Sequence, residues 1–196
     1  QTRHVLSTGA HGVLQTHTRD VEAVKTFVAS ARYPYHKLGR EFLPEGLRGS
    51  GGQKQPSEIW GISQREYTDL ADPWPLNPEG EILLGLKIED KYCVDNASEI
   101  AAVPGIGFAE WGPGDMGMSY GDPDAHDPPY PEYMNEARKK VKAALDKSNV
   151  AFYSSWNDEK LTVKERIDHL IDNVGAKILG IPGKNYADYG RIKTRL

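Results

Sequence analysis

At 196 residues, 38% of them hydrophobic and 20 more of them glycine, the chain has the length and apolar content of one globular domain with a sizeable core. A net charge of −4, with no long block of like charge, excludes an electrostatic case for nucleic acid or an anionic membrane surface. A single cysteine, Cys93, excludes an internal disulfide and any multi-cysteine zinc site and suits a reducing cytosol, while no apolar run approaches the roughly 18 residues of a membrane span.

In chain order, residues 3–6 read as the end of a helix. A first strand over 12–16 leads to a helix over about 20–31, whose Val21, Val24, Phe27, Val28 and Ala31 share one face at amphipathic spacing. A long polar, glycine-rich connection over 33–78 follows, holding at most a short helix near 63–71. Connections of that length are uncommon in compact domains and are usually functional. A second strand over 82–88, a helix across 94–102 and a third strand over 106–111 come next. The loop after it, rich in Asp, Gly and Pro, runs to Pro131, which opens a helix over 132–147 with Met134, Ala137, Val141, Ala144 and Leu145 as its buried stripe. The basic cluster Arg138-Lys139-Lys140 with Lys142 is the wet face of that helix. A fourth strand covers 150–154. Thr162 and Glu165 form a capping box for a helix whose apolar face is Val163, Ile167, Leu170, Ile171 and Val174. Gly175 stops it, 176–179 is a fifth strand, and 182–196 is a polar tail, a last helix or arm.

Strand–helix alternation of this kind predicts an α/β fold with a parallel sheet and right-handed crossovers, read as a single domain over 1–196. Five units make either a doubly wound sheet or most of an eight-stranded barrel. The abrupt start at a helix end, with Gln1 in place of an initiator methionine, favours the second: about the last five β/α units of a (β/α)8 TIM barrel. The missing strands would then come from elsewhere, since bare hydrophobic edges are a liability.

Chemistry concentrates at two strand ends. Glu89 follows the second strand, Asp115 follows the third, and they are 26 residues apart with room for one crossover helix between. Both carboxylates therefore emerge at the carboxyl edge of neighbouring parallel strands, where α/β folds place their chemistry, and together they suit a hard divalent cation such as Mg²⁺ or Mn²⁺. Gly112-Pro113-Gly114-Asp115 reads as a nest whose backbone N–H groups face an anion, so a carboxylate beside a carbonyl, as in pyruvate or another 2-oxo acid, would satisfy nest and metal together. The same four residues equally read as a glycine-rich turn with an Asx cap. Lys87 shares a face with Glu89 by strand alternation, either as a salt bridge to that ligand or as a group reaching substrate. His17 ends the first strand and can line the same mouth as a base or orienting donor.

Several of these segments resemble the HpcH/HpaI aldolase and citrate lyase family. The resemblance rests on Lys87-Ile88-Glu89, the 26-residue spacing, Val103-Pro104-Gly105-Ile106-Gly107 and Gly112-Pro113-Gly114-Asp115. Upstream, Thr8-Gly9-Ala10, Val13-Leu14, Glu22-Ala23-Val24 and Ala31-Arg32-Tyr33-Pro34 agree in order, so it covers roughly residues 3–180, interrupted by the insertion near 35–80. It implies a class II, metal-dependent pyruvate aldolase on a TIM barrel: a carbon–carbon lyase cleaving or forming 2-oxo acids through a metal-bound pyruvate enolate. It further implies Glu89 and Asp115 as ligands of Mg²⁺, Mn²⁺ or Co²⁺, and the N–H groups of Gly114 and Asp115 as holders of the substrate carboxylate. A cytoplasmic homo-oligomer, a hexamer built from dimers or a dimer of exchanged carboxyl-terminal helices, is implied too, with 182–196 as the exchanged segment. The family's catalytic arginine and histidine general base fall ahead of Gln1, and its glutamine two residues before the metal glutamate is Lys87 here. Oxaloacetate-type decarboxylation, or a catalytically silent barrel fragment serving an oligomer, are the competing readings.

Other residues carry less. His126 lies in the loop after Asp115 as a lid or a solvated residue. Glu110 occupies a strand position that is usually apolar. Cys93 reads as a small helix residue rather than a nucleophile, and His4, His11, His36 and His169 as structural. Residues 48–53 lack the Lys-Ser/Thr of a P-loop and read as a mobile flap over the site, with Trp60, Tyr67 and Trp74 packing nearby.

Overall fold

In a computed structural model, which describes residues 1–180 and 183–195, the apolar runs become parallel strands joined one after another in sequence order. Helix α1 (Thr2–Leu6) precedes strand β1 (Gly12–Gln15) and helix α2 (Val21–Ala31). The long connection carries α3 (Lys54–Trp60), α4 (Gln64–Leu70) and the two-residue strand β2 (Pro73–Trp74). Then come β3 (Ile82–Ile88), α5 (Lys91–Asp95), α6 (Ala97–Ala101), β4 (Phe108–Trp111), α7 (Pro113–Tyr120), α8 (Glu132–Lys147) and β5 (Ala151–Ser154). Helix α9 (Val163–Asp168), a π-helical segment His169–Asn173, β6 (Ile178–Leu179) and α10 (Lys184–Thr194) finish it. Of the expected tail, Pro182 and Leu196 lie outside the described residues.

The sheet order is β1-β3-β4-β5-β6, with β2 paired to the start of β3, and every pairing is parallel. A doubly wound sheet reverses direction at a switch point; this one never does. Along the path β1-β3-β4-β5-β6 each strand is added beyond the last, the short β2 alone lying across β3 from β1, and the general right-handedness of parallel crossovers then carries the joining helices to one face, the winding of a barrel. That face holds the core. Ile82, Leu84, Leu86 and Ile88 of β3 are fully buried there, with Ile100, Val141 and Leu145 in the same cluster. Each such aliphatic side chain contributes roughly 1.5–3 kcal/mol on leaving water. On the alternate positions of β3, Leu83 and Lys87 are only partly covered.

Local chemistry sets the boundaries. Asp20 caps α2 by accepting from the Ala23 N–H at 2.7 Å, and Thr162 with Glu165 forms the expected capping box on α9. Several expectations need correction. The helix across 94–102 is two short helices meeting at Asn96, because Asp90 caps the first and Asn96 has left helical geometry. The connection holds α3 as well as α4. The segment after β4 is a helix rather than a loop: Pro113 sits in its first turn, where its missing N–H costs nothing, and Gly121, at φ 84°, ends it.

Residues 48–53 are no flap over the strand ends that carry Glu89 and Asp115. Gly52 faces the Ser7 hydroxyl, and Arg48 stacks on Tyr33 with its guanidinium carbon 4.5 Å from the ring centre while donating to Tyr67 Oη at 2.6 Å. Trp60 donates to the Gly9 carbonyl at 2.9 Å and stacks on His11 at 4.0 Å, so Trp60 and Tyr67 pack as expected. All of these contacts precede β1 or β3. The insertion therefore seals the amino edge of the sheet. The physical reason is topological, since a connection from a helix to the next strand returns to the amino edge.

Candidate metal centre

At the opposite edge, the ends of β3 and β4 are tied together by the Gly112 N–H, which donates to the Ile88 carbonyl at 3.2 Å. This brings Glu89, one residue beyond β3, against the first turn of α7, which carries Asp115. Gly112 is required here for want of space. A Cβ at that position would lie 2.8 Å from Glu89 Cβ, 2.9 Å from Glu89 Oε2 and 3.0 Å from Lys87 Cε.

Glu89 is fully buried. Its Oε1 accepts the His17 backbone N–H at 2.9 Å, and His17 Nδ1 lies 3.5 Å from the same oxygen. To make that bond His17 adopts φ 49°, the left-handed region that a non-glycine residue enters at a cost. Glu89 Oε2 has no hydrogen-bond donor. Lys87 Nζ stands 3.0 Å from it, close enough for an ion pair but not aligned as a hydrogen bond, and 4.0 Å from Asp115 Oδ2. Burial disfavours the Lys87 ammonium, but contact with Glu89, its charge, and those of Glu110 and Asp115 outweigh it, holding the ammonium above the ordinary lysine pKa.

One ligand atom from each of His17, Glu89 and Asp115 falls within 4.8 Å of the others, a possible metal site among the described residues. The donors fit a divalent ion. They are two carboxylates and an imidazole, one carboxylate is buried with an oxygen left without a hydrogen bond, and Asp115 and His17 are half exposed toward an entry path. Oxygen ligands suit Mg²⁺ and Mn²⁺, and the imidazole widens the choice to Co²⁺. The N–H groups of Gly114 and Asp115 belong to the first turn of α7, before its first intrahelical bond, from Met116 to Gly112, and so have no acceptor within the helix. Beyond its chain neighbours and its own helix backbone, no heavy atom of the described residues lies within 4 Å of where a Gly114 Cβ would be, so open space adjoins them. The expected nest is thus a helix amino terminus, which presents donors to an anion in the same way.

The residues singled out in the sequence divide cleanly. His17, Lys87, Glu89, Gly114 and Asp115 come together. His126 does not join them: it pairs with Asp127 at 3.0 Å and lines a neighbouring cleft of about 480 Å³ with Pro113, Tyr130, Ser155 and Lys160. Cys93 is buried, which pushes its thiol up to about 11 and leaves it a poor nucleophile at neutral pH. Sequence reasoning passed over Asp90. This residue accepts from the Tyr92 and Cys93 N–H groups as the cap of α5 and from Arg19 Nε at 2.7 Å, anchoring the strand end beside Glu89. The signal was available, since an acid directly after a strand and before a helical run is a cap. Glu110, on the half-covered face, accepts from Ser155 Oγ at 2.7 Å, and burial raises its pKa, partly offset by Ser155 and Lys87.

The model of the HpcH/HpaI aldolase/citrate lyase family matches residues 1–172. Among characterised proteins, the chain is 27% identical over 143 residues to 2-keto-3-deoxy-L-rhamnonate aldolase of Escherichia coli (strain K12), covering 72% of this chain and 47% of that one. To the hydroxypyruvate/pyruvate aldolase of Chromohalobacter salexigens it is 28% identical over 141 residues, covering 72% and 48%. The chain thus spans about half the length of the curated relatives it matches. Among solved structures, a family protein from Burkholderia cenocepacia J2315 superposes with a TM-score of 0.70 at 20% identity, over 98% of this chain and 66% of that one. The aldolase from Desulfitobacterium hafniense DCB-2 does so with a TM-score of 0.68 at 22% identity, over 100% and 66%. These likenesses fix the fold as a parallel α/β sheet of the barrel type, of which this chain spans about two thirds.

Proposed function

The chain belongs to the HpcH/HpaI aldolase/citrate lyase family, and from that premise we propose that it is a metal-dependent carbon–carbon lyase, a class II aldolase acting on a 2-oxo acid. The observation that carries this reading is the convergence of His17, Glu89 and Asp115, with one buried carboxylate oxygen free of hydrogen bonds, at the carboxyl edge of a parallel sheet. Relatives named as aldolases of keto acids agree with it.

Glu89 and Asp115 hold the ion, with His17 beside them. Mg²⁺, Mn²⁺ or Co²⁺ held there would supply Lewis acidity for the negative charge that develops as the carbon–carbon bond forms or breaks. The protein does the rest by position. The free N–H groups of Gly114 and Asp115 take the substrate carboxylate, fixing which end of the 2-oxo acid faces the ion. The His17 N–H locks the Glu89 rotamer, and its half-exposed ring can orient the substrate or move a proton at the mouth. Before the ion enters, Lys87 keeps the carboxylates from repelling one another. The reading extends to a single domain within a cytoplasmic homo-oligomer, the helix near the carboxyl end serving for exchange; among the described residues no helix is long and apolar enough to cross a membrane.

The test is pyruvate release from a 4-hydroxy-2-oxo acid by the full chain. EDTA should abolish it, Mn²⁺ should restore it, and Glu89→Gln and Asp115→Asn should each lack it. Release that survives both EDTA and the two substitutions would falsify the assignment.

A further inference from the structure

Lys87 stands where charge compensation of the two acidic ligands is needed, 3.0 Å from Glu89 Oε2 and 4.0 Å from Asp115 Oδ2. A divalent cation held by the same two carboxylates needs the same space, and an ammonium there opposes its entry. One strand over, Glu110 is the direct neighbour of Lys87 in the β3–β4 register and is 6% exposed. A buried acid in a strand is costly without a cationic partner, yet its side-chain hydrogen bond comes from Ser155. The four-carbon stem of lysine gives the ammonium reach across one strand spacing.

We propose that Lys87 is a movable internal counter-ion: it balances Glu89 and Asp115 while no metal is bound, and crosses to Glu110 when a divalent cation enters. This rests on the metal-centre reading above. It explains in one step two departures that the site otherwise leaves unrelated, a lysine beside the ligands and an acid at an interior strand position. It makes metal binding an exchange of one cation for another, so that the carboxylates stay together in the absence of metal at the cost of affinity.

The experiment is a Mn²⁺ titration, by calorimetry and by the electron paramagnetic resonance of the free ion, on the full chain and on Lys87→Gln, Glu110→Gln and the double variant. Lys87→Gln should tighten Mn²⁺ binding by about tenfold or more, equivalent to about 1.4 kcal/mol. Glu110→Gln keeps an acceptor for Ser155 but removes the ammonium's destination, so it should weaken binding several-fold. In the Lys87→Gln background the same change should have a much smaller effect, the coupling that a double-mutant cycle isolates. Melting in EDTA gives a second readout: Lys87→Gln should melt lower than the parent, and Mn²⁺ should close the gap. Lys87→Met should repeat both results if Gln disturbs folding. Unchanged or weaker binding in both Lys87 variants overturns the counter-ion, as does a Glu110→Gln effect that is equal in the two backgrounds. Reductive trapping of pyruvate on Lys87 by borohydride also overturns it, because the residue would then be a nucleophile. If neither the parent nor any variant binds Mn²⁺, the metal-centre reading itself falls.

Discussion

Two buried carboxylates at opposite edges of one sheet are treated in opposite ways. Asp72, at the amino edge and 1% exposed, has both oxygens occupied: Oδ1 accepts from Arg32 Nε at 2.6 Å, and Oδ2 from Arg32 Nη2 at 3.1 Å and Asn77 Nδ2 at 3.3 Å. Glu89, at the carboxyl edge and 0% exposed, keeps one oxygen that meets only an ion-pair contact with Lys87 and no aligned hydrogen bond, beside a backbone held in the left-handed region and the first turn of a helix. A carboxylate saturated by its own chain is structure. One left short of partners holds capacity for a ligand. The insertion strengthens the contrast, since its Arg48, Trp60 and Tyr67 serve the sealed edge.

The largest expected effect tests the sealed edge. Asp72→Ala strands the fully buried Arg32 guanidinium, and loss of one partner of a buried pair costs about 3–5 kcal/mol. Urea denaturation should show that loss, while Mn²⁺ affinity of the folded fraction stays at the parent value. The pH dependence follows from the same contact. Burial pushes the Asp72 carboxyl up, but His36 and Arg32 outweigh it and hold it below the ordinary range. A depressed carboxyl gives stability that is present above its unfolded pKa of about 3.9 and is lost as the pH falls through the lower folded value. The parent should therefore lose stability below about pH 4 more steeply than Asp72→Ala. An equal slope in the two proteins would erase the distinction between the edges.

Glu89→Gln is the mirror experiment. The change removes the charge opposite Lys87, an ammonium that is partly exposed and keeps Asp115 nearby, so stability should fall by less than it does in Asp72→Ala. Mn²⁺ affinity should instead fall by more than the roughly 10–100-fold typical of a merely supporting partner. A melting loss as large as that of Asp72→Ala, with metal binding intact, would make Glu89 a structural residue.

How far the sequence foretold this contrast depends on the element. The positions of Glu89 and Asp115 were legible because strand periodicity is strong at 82–88, Glu89 lies one step past that strand, and Asp115 follows the next strand within four residues, so both have one edge to occupy. His17 was legible for the same reason. Helix α7 was not, because Gly112, Pro113 and Gly114 are breakers within a helix and signals of its start only when the following residues pack, which periodicity over eight residues does not reveal. The insertion was placed over the wrong edge although its position was deducible: it joins α2 to β3, and helix-to-strand connections return to the amino edge. Glu110 stayed opaque in sequence because its meaning depends on the register that sets it beside Lys87.

Gly112→Ala tests how tightly the open edge is built. The added methyl would meet Glu89 Cβ at 2.8 Å, an atom one bond from the backbone that cannot swing away. Overpacking of this kind costs about 1–3 kcal/mol and displaces the Glu89 carboxylate, so stability and Mn²⁺ affinity should fall together. Joint loss is the signature of a group whose position matters to both. A loss of stability alone would mean that the metal tolerates a shifted Glu89.

The smallest effect separates the two edges by sign. His17→Gly keeps the backbone N–H that donates to Glu89 Oε1 and relieves a residue held at φ 49°. Glycine enters that region without the Cβ penalty, and offsetting its greater freedom in the unfolded chain leaves a net change of at most about 1 kcal/mol, toward higher stability. The same change removes an imidazole from the metal site, so Mn²⁺ affinity should drop while the melting temperature holds or rises. No substitution in the Arg32–Asp72–His36 cluster should do this, because that cluster lies at the amino edge, away from the metal site. Were His17→Gly to lower stability and leave metal binding untouched, the strained turn would belong to the fold, and the carboxyl edge would differ from the amino edge only in how many of its polar groups happen to be paired.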